Sequence, residues 1–572
     1  MIPDGRHDGA DPSGTMRRTI ERLGEQVYDV VIVGGGIHGA WAALDAARRG
    51  LGVALLEKSD FGSGTSANSQ KIIHGGLRYL QHADLARMRE SIRERRNLLR
   101  VAPHFVHPLP FVIPCYRGRM PRSALALALT INDLVGFDRN RLLPADRMLP
   151  ASRLISRDEC LAACPGLDRD GLTGGAIFYD AQVHHPNRMI IAILRSAVAA
   201  GADLVNYAEV RGLLSSRGTV TGVRGSDGLD GRTFNVRARV VLNCAGPWTA
   251  DVLGLPGAGA SMGNARLFKA VVLVTRPIVG DAGVGVPSRS PFRDQDALVD
   301  KGPRYLFITP GRAPGRDTSL IGTFDSPFSG RADRLTVTEV ELRRYLEQIN
   351  AAYPGARLAR DDIYFVHTGL LPAASGDDPG DGVRYPKRAR IIDHGRQDGP
   401  RGLISVIGLK YTTARAVAER ALDLVVRALG TGSGPCRTAA APIHGAGAIA
   451  PGARQTAGPS AEAMQHLVRT HGAAAAEVLR SIAEEPRLGE PLSKEHALPR
   501  AAVVHAVRAE MARTLADVIF RRTELGLAGY PGDACVHACA DLMASELGWD
   551  DRRRGAELRA VTDTYSRLGC YP

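Results

Sequence analysis

No run of about 18 consecutive apolar residues occurs in this chain, so the sequence offers no membrane-spanning helix. Residues 1–27 are polar and charged and lack the apolar stretch of a secretory signal, so they are expected to form a disordered extension. The eight cysteines are scattered. Cys160/Cys164 and Cys535/Cys539 stand four apart, which would put each pair on one helical face. Neither pair has the C-x-x-C pattern or the histidine spacing of a zinc or redox site. They read as buried or incidental thiols of a reducing cytoplasm, and no metal site is expected. The absence of any zinc-finger, RNA-recognition or long Lys/Arg tract removes nucleic acid as an expected partner.

What is present is a globular composition, 44% hydrophobic, in a chain of 572 residues. That length exceeds one core and predicts two or three domains. A net charge of +13 gives a basic surface suited to an anionic substrate or acidic lipid.

The most informative stretch is residues 28–80. The apolar run Val30–Val33 suits a buried parallel strand. Gly34, Gly36 and Gly39 then fit G-x-G-x-x-G, helix-like sequence runs from His38 to Arg48, and a second strand from Val53 to Leu56 ends at Glu57. That acid lies about 20 residues after the glycines, where a ribose hydroxyl would meet it. The glycines let backbone approach a pyrophosphate, and the helix N-terminus supplies N–H donors and partial positive charge. This predicts a dinucleotide site without choosing FAD over NAD.

The continuation, Thr65-Ser66 and then Lys71-Ile72-Ile73-His74-Gly75-Gly76-Leu77-Arg78-Tyr79-Leu80, resembles the FAD-dependent glycerol-3-phosphate dehydrogenase/oxidase family of D-amino-acid-oxidase-like flavoproteins. That family carries T-S-S-x-S-S-K-L-I-H-G-G-L-R-Y-L here. Asn243-Cys244-Ala245-Gly246-Pro247-Trp248 resembles its N-A-T-G-P-W, and Gly408-Leu409-Lys410-Tyr411-Thr412-Thr413-x-Arg415 its G-G-K-L-T-T-x-R. The resemblance covers roughly residues 28 to 565. It implies FAD held by the three fingerprint glycines, Glu57, Thr65, Ser66, Lys71, His74, Gly75, the Val210 backbone, Gly246, Gly408 and Thr412.

The implied fold is α/β (α+β overall): a Rossmann-like FAD-binding domain, an interleaved antiparallel-sheet substrate domain and a C-terminal helical domain. The expected limits are 28–430 for the first two, with the substrate part mainly in 100–190 and 265–385. A Gly/Ala/Pro-rich linker follows at 431–461, and helical sequence at 462–572. Residues 83–100 predict a helix, read as a solvated charged one or as a basic face toward a membrane. Residues 501–527 have strong amphipathic periodicity.

The resemblance also implies the chemistry: sn-glycerol 3-phosphate oxidised to dihydroxyacetone phosphate, with hydride passing to flavin N5 and electrons to quinone or oxygen. Arg78 and Tyr79 would bind substrate, Lys410 would bond the reacting oxygen or the flavin, and Arg388 would add positive charge. Two family positions differ. Its histidine in the segment matching 265–275 is Val272 here, and its S-G-V-R-P arginine is Leu371. The family's V-D-D-A-R-L has become Val183-His184-His185-Pro186-Asn187-Arg188, so His184, His185 and His74 are the candidate bases. The alternative reading is the same flavin chemistry on another hydroxylated, anionic metabolite; a third is a flavin-binding protein without turnover. The expected setting is cytoplasmic, with peripheral contact to the cytoplasmic face of the inner membrane and a homodimer both allowed.

Overall fold

The computed structural model describes residues 11, 13–118, 121–260, 266–288, 304–313, 316–373, 385–447 and 459–570. Strand β1 (Val27–Val33) leads through Gly34–Gly36 into helix α1 (Ile37–Arg48) and on to strand β2 (Val53–Leu56). Val30, Val31 and Ile32 are fully buried, because strands flank β1 on both edges and layers cover both faces. β1 pairs in parallel with β2 and with the strand Thr233–Asn243, which pairs in parallel with Leu403–Ile407. Sequence from three distant parts of the chain thus meets in one sheet, whose edge strand is Arg390–Asp393.

A second sheet lies along the chain in pieces. Its order runs from Ile363–Pro372 through Leu267–Thr275, Arg316–Phe328, Tyr305–Ala313 and Gly283–Pro287 to Val106–Tyr116, Leu172–Val183 and Ile72–Ile73. Most of these pairings are antiparallel. One face of its 267–275 and 363–372 strands carries Val271, Leu273 and Val366 into a core shared with the helix Glu339–Ala352. The opposite face looks toward the first sheet.

Helix α2 (Leu85–Val101) starts where Asp84 accepts the Arg87 N–H. It differs from the solvated charged helix expected. Arg95 is buried against Asp180, and Glu94 is buried against Arg415. Charged residues point inward because each meets an opposite charge there. Helix α3 (Arg122–Val135) follows the 106–116 strand.

The N-terminal extension also differs from expectation over residues 13–26. Met16, Ile20 and Leu23 are buried, and Met16 bridges to Glu510. Arg18 pairs with Asp227 at 2.7 Å, and Arg195 donates to the Ser13 and Gly14 carbonyls at 3.0 Å each. Three well-spaced apolar residues and one arginine suffice to dock a segment whose overall composition is polar.

Helices Ala461–His471, Ala475–Glu484, Ala501–Glu510, Asp533–Leu547 and Asp551–Arg567 enclose a separate core at the C-terminus. The amphipathic stretch 501–527 breaks at Met511, which adopts φ 59°. The chain restarts at Thr514, whose side chain and Asp517 cap the next turn reciprocally. The break aims Arg521 and Arg522 at Asp60, at 2.5 and 2.7 Å. Nearby, Arg188 grips Glu510 at 2.5 and 2.7 Å, and His185 meets Glu524 at 2.5 Å. This junction joins the helical domain to the nucleotide-binding half.

Candidate active site

Between the two sheets lies a continuous cavity of about 2230 Å³. Small-molecule pockets usually hold about 300–1,000 Å³, so this one has room for a dinucleotide and a substrate together. One end is the turn after β1. Gly34 has φ +108°, and a Cβ there would meet the Cys244 carbonyl oxygen at 2.6 Å. A Cβ on Gly39 would lie 1.9 Å from the Gly34 carbonyl, so this glycine does not line the cavity but lets α1 close on the turn. Gly36 caps α1 without a side-chain acceptor and faces Ser66 Oγ, which takes the Ile37 N–H at 3.0 Å. Glu57 ends β2 with its carboxylate accepting from Gly35 N–H at 2.7 Å and Ser59 N–H at 2.9 Å. Val210 and Gly246 line the same end.

The loop from Gly64 to His82 crosses beneath the second sheet. Thr65 Oγ1 donates to the Leu370 carbonyl at 2.8 Å and accepts the Leu370 N–H at 3.2 Å, tying loop to sheet. Lys71 adopts φ 61° and reaches the His184 carbonyl at 3.4 Å. Gln70 donates to the carbonyls of Phe307 and Gly322 at 2.7 and 3.0 Å. Thr412 Oγ1 takes the His74 N–H at 3.3 Å, which joins the loop to the start of the helix Ala414–Leu429. Gly408 is pressed so close to His38 that a Cβ would lie 2.1 Å from its ring. His38 Nε2 is buried there without a hydrogen-bond partner among the described residues. The small residues, the start of α1, where Gly36 offers no capping side chain, and this buried nitrogen fit a bound dinucleotide.

The other end is cationic. Lys410 Nζ donates to the Tyr79 hydroxyl, and Arg87 stacks 4.0 Å from the centre of the Tyr79 ring. Arg78 projects into the cavity beside them. Burial, then the facing Arg87 and Arg78 charges, push the Lys410 ammonium down to about 7. Burial, then Lys410, Arg95 and Arg87, push His74 down to about 3, so it is neutral near pH 7. Burial pushes the Tyr79 phenol up to about 12. A lysine lowered in this way by burial and like charge gains when an anion arrives beside it.

The cavity-facing side of the second sheet carries Val272 and Leu371, both on the wall. Arg304 stands on the same wall and pairs with Asp325 at 2.7 Å, and Tyr385 bonds that carboxylate too. Lys387 also lines it, and its carbonyl accepts from Arg87 at 3.0 Å.

Besides Gly39, four expected site residues stand elsewhere. Gly75 does not line the cavity, because its N–H is bound by buried Asp180 at 2.6 Å. His184 stacks on His107, with centroids 4.2 Å apart, and does not line the cavity. Burial, then the adjacent His107 and His185, push its imidazole down to about 2. His185 is likewise taken up by Glu524. The side chain of Arg388 is 68% exposed and lies 3.9 Å from Asp84, off the wall. Conversely, the structure places Asn68, Gln70, Arg304, His367 and Tyr385 on the wall, none of which stands out in the sequence. For His367 a signal existed: Phe365, His367, Gly369 and Leu371 alternate with the core residues Val366 and Leu370.

Residues 29–424 match the family described as FAD dependent oxidoreductase, and residues 436–554 match the C-terminal domain of alpha-glycerophosphate oxidase. The glycerol-3-phosphate dehydrogenase of Synechocystis sp. is 33% identical over 568 residues, covering 97% of this chain and 99% of that protein. That of Mycobacterium leprae is 31% identical, covering 92% and 86%. A glycerol-3-phosphate dehydrogenase from Bacillus halodurans, solved with FAD, superposes with a TM-score of 0.74 at 25% identity over 96% of each chain.

Proposed function

We propose, from the premise that this chain belongs to the FAD dependent oxidoreductase family, that it oxidises sn-glycerol 3-phosphate to dihydroxyacetone phosphate. The observation that carries this reading is the cationic end of the cavity. Arg78, Lys410 and Tyr79 converge beside a dinucleotide cradle in a chain alike over its whole length to glycerol-3-phosphate dehydrogenases.

The secondary carbon of the substrate gives up a hydride, its hydroxyl gives up a proton, and the C–O bond becomes a carbonyl. FAD, when bound, accepts the hydride. Arg78 offers a planar fork that matches phosphate, and Lys410 a point charge. Tyr79 holds the Lys410 ammonium, and the Arg87 stack holds Tyr79. Arg304 and Lys387 stand where charge is needed after the loss of an arginine at Leu371.

The electron acceptor is a quinone drawn from a membrane. Helix α3 supports this: Leu125, Leu127, Ala128 and Ile131 line the cavity mouth. Around it Leu127, Leu134, Phe137 and Leu142 are 62, 69, 78 and 70% exposed. Arg89 of α2 neighbours this apolar patch, lying 4.9 Å from the centre of the Phe137 ring. Such a surface suits peripheral contact with anionic lipid at the cytoplasmic face. Among the described residues, no helix is long and apolar enough to cross a membrane.

The test is anaerobic mixing of the yellow protein with sn-glycerol 3-phosphate while following the visible flavin band. Bleaching at sub-millimolar substrate is expected. A flavin that dithionite reduces and the substrate does not would move the assignment to another hydroxylated anion. For the acceptor, the protein should sediment with anionic vesicles at low salt, and Leu134→Ser with Phe137→Ser should abolish that. Sedimentation indifferent to both salt and the substitutions would count against the membrane route.

A further inference from the structure

The strands Leu267–Thr275 and Ile363–Pro372 run antiparallel, with Phe268 opposite Leu371 and Val272 opposite His367. One shared face therefore carries Phe268, Ala270, Val272 and Val274 beside Phe365, His367, Gly369 and Leu371. His367 is the single titratable side chain among these eight, and it lines the cavity at 1% exposure. Its Nδ1 lies 3.4 Å from Asn68 Oδ1. The Asn68 amide nitrogen donates to the Gly64 carbonyl at 3.0 Å, which turns the amide oxygen toward the ring. An acceptor at Nδ1 fixes the hydrogen there, so Nε2 carries the lone pair. That Nε2 is buried and has no hydrogen-bond partner among the described residues.

We propose that His367 is the base for the oxidation, oriented by Asn68 and receiving the substrate hydroxyl proton on Nε2. The assignment rests on the functional reading above. The bond from oxygen to hydrogen breaks as the carbonyl forms, the proton stays on His367, and the hydride goes to the cofactor. Burial, then Lys71, hold the imidazole down to about 3, so it is neutral and able to accept before substrate binds. The Glu524 carboxylate acts in the opposite sense and steadies the imidazolium once it forms. The other histidines are less suited. His184 is stacked outside the cavity, His185 is held by Glu524, and His74 faces Lys410, Arg95 and Arg87, which oppose a second positive charge.

The experiment measures anaerobic flavin reduction by sn-glycerol 3-phosphate in wild type, His367→Gln, and His367→Val combined with Val272→His. A general base contributes on the order of a hundredfold or more, so His367→Gln should be slowed by about that factor with FAD still bound. The double variant returns an imidazole to the same face one strand over, about 5 Å away, and should recover part of the rate. A structural role would not be rescued by that transfer. Independently of turnover, peptide mapping after diethyl pyrocarbonate treatment should find His367 labelled and protected by the substrate. Wild type that bleaches beside a His367→Gln variant of equal rate would overturn this assignment alone. Labelling indifferent to substrate would also overturn it. Wild type that fails to bleach would overturn the functional reading and this assignment together.

Discussion

Two buried clusters of charge in this molecule, the domain junction and the cationic end of the cavity, respond to burial in opposite ways. At the junction, burial raises the Asp60 carboxyl, but Arg522 and Arg521 outweigh it and hold the group down to about 2. The same Asp60 charge raises both arginines. In the cavity, burial and like-charged neighbours act together, and Lys410 falls to about 7. Burial alone therefore does not decide what a charged side chain does. Neighbours of opposite sign make an adhesive, and neighbours of the same sign make a receptor for the missing counter-charge.

The largest expected effect falls on the adhesive. Asp60→Ala leaves Arg521 and Arg522 buried without their shared partner and should cost about 3–5 kcal/mol, read by urea unfolding. A loss under about 1 kcal/mol would show that the junction holds by its apolar contacts. Since the folded Asp60 lies below its ordinary value, its contribution is present above about pH 4 and fades as pH falls toward about 2.

Next is the cradle. A Cβ at position 36 would already lie 3.1 Å from Ser66 Oγ. Gly36→Val adds a branched side chain there and should yield folded protein without the yellow cofactor. A fully loaded variant would refute the pyrophosphate assignment. On the receptor side, Arg78→Ala should retain FAD and lower kcat/KM by on the order of a hundredfold, measured by flavin reduction. Turnover like wild type would remove Arg78 from the substrate site.

How much of this contrast the sequence disclosed depends on chain distance. The β1–turn–α1–β2 unit was legible because its glycines, periodicity and acid lie within one short stretch. That Arg78, Tyr79 and Lys410 share one cavity was legible because their motifs are long. His184, Arg388 and Gly75 lie off the cavity wall because a residue along a turn can face either way, and only packing against Asp180, His107 and Asp84 decides which. The docked segment at 13–26 was hidden by its sparse apolar spacing, and the break at Met511 by the continuous periodicity on either side of it. His367 carries only the alternation of its own strand as a mark, because the strand paired with it is about 95 residues away.

The smallest expected effect tests the receptor's tuning. Lys410 is charged below about pH 7 and neutral above, so its attraction for an anion weakens as pH rises. KM for glycerol 3-phosphate should rise several-fold between about pH 7 and pH 9, and Lys410→Arg should flatten that rise because arginine stays charged. A slope unchanged by the arginine would assign the titration to another group.

The docked segment before β1 matters for anyone preparing the protein. A shortened gene opening at Met16 would look harmless on paper, since it discards a mostly polar stretch. It would remove the Ser13 and Gly14 carbonyls that Arg195 binds, stranding part of a guanidinium at 1% exposure, next to Glu477 and His505. Purification handles are better carried at the opposite terminus, or joined ahead of residue 11.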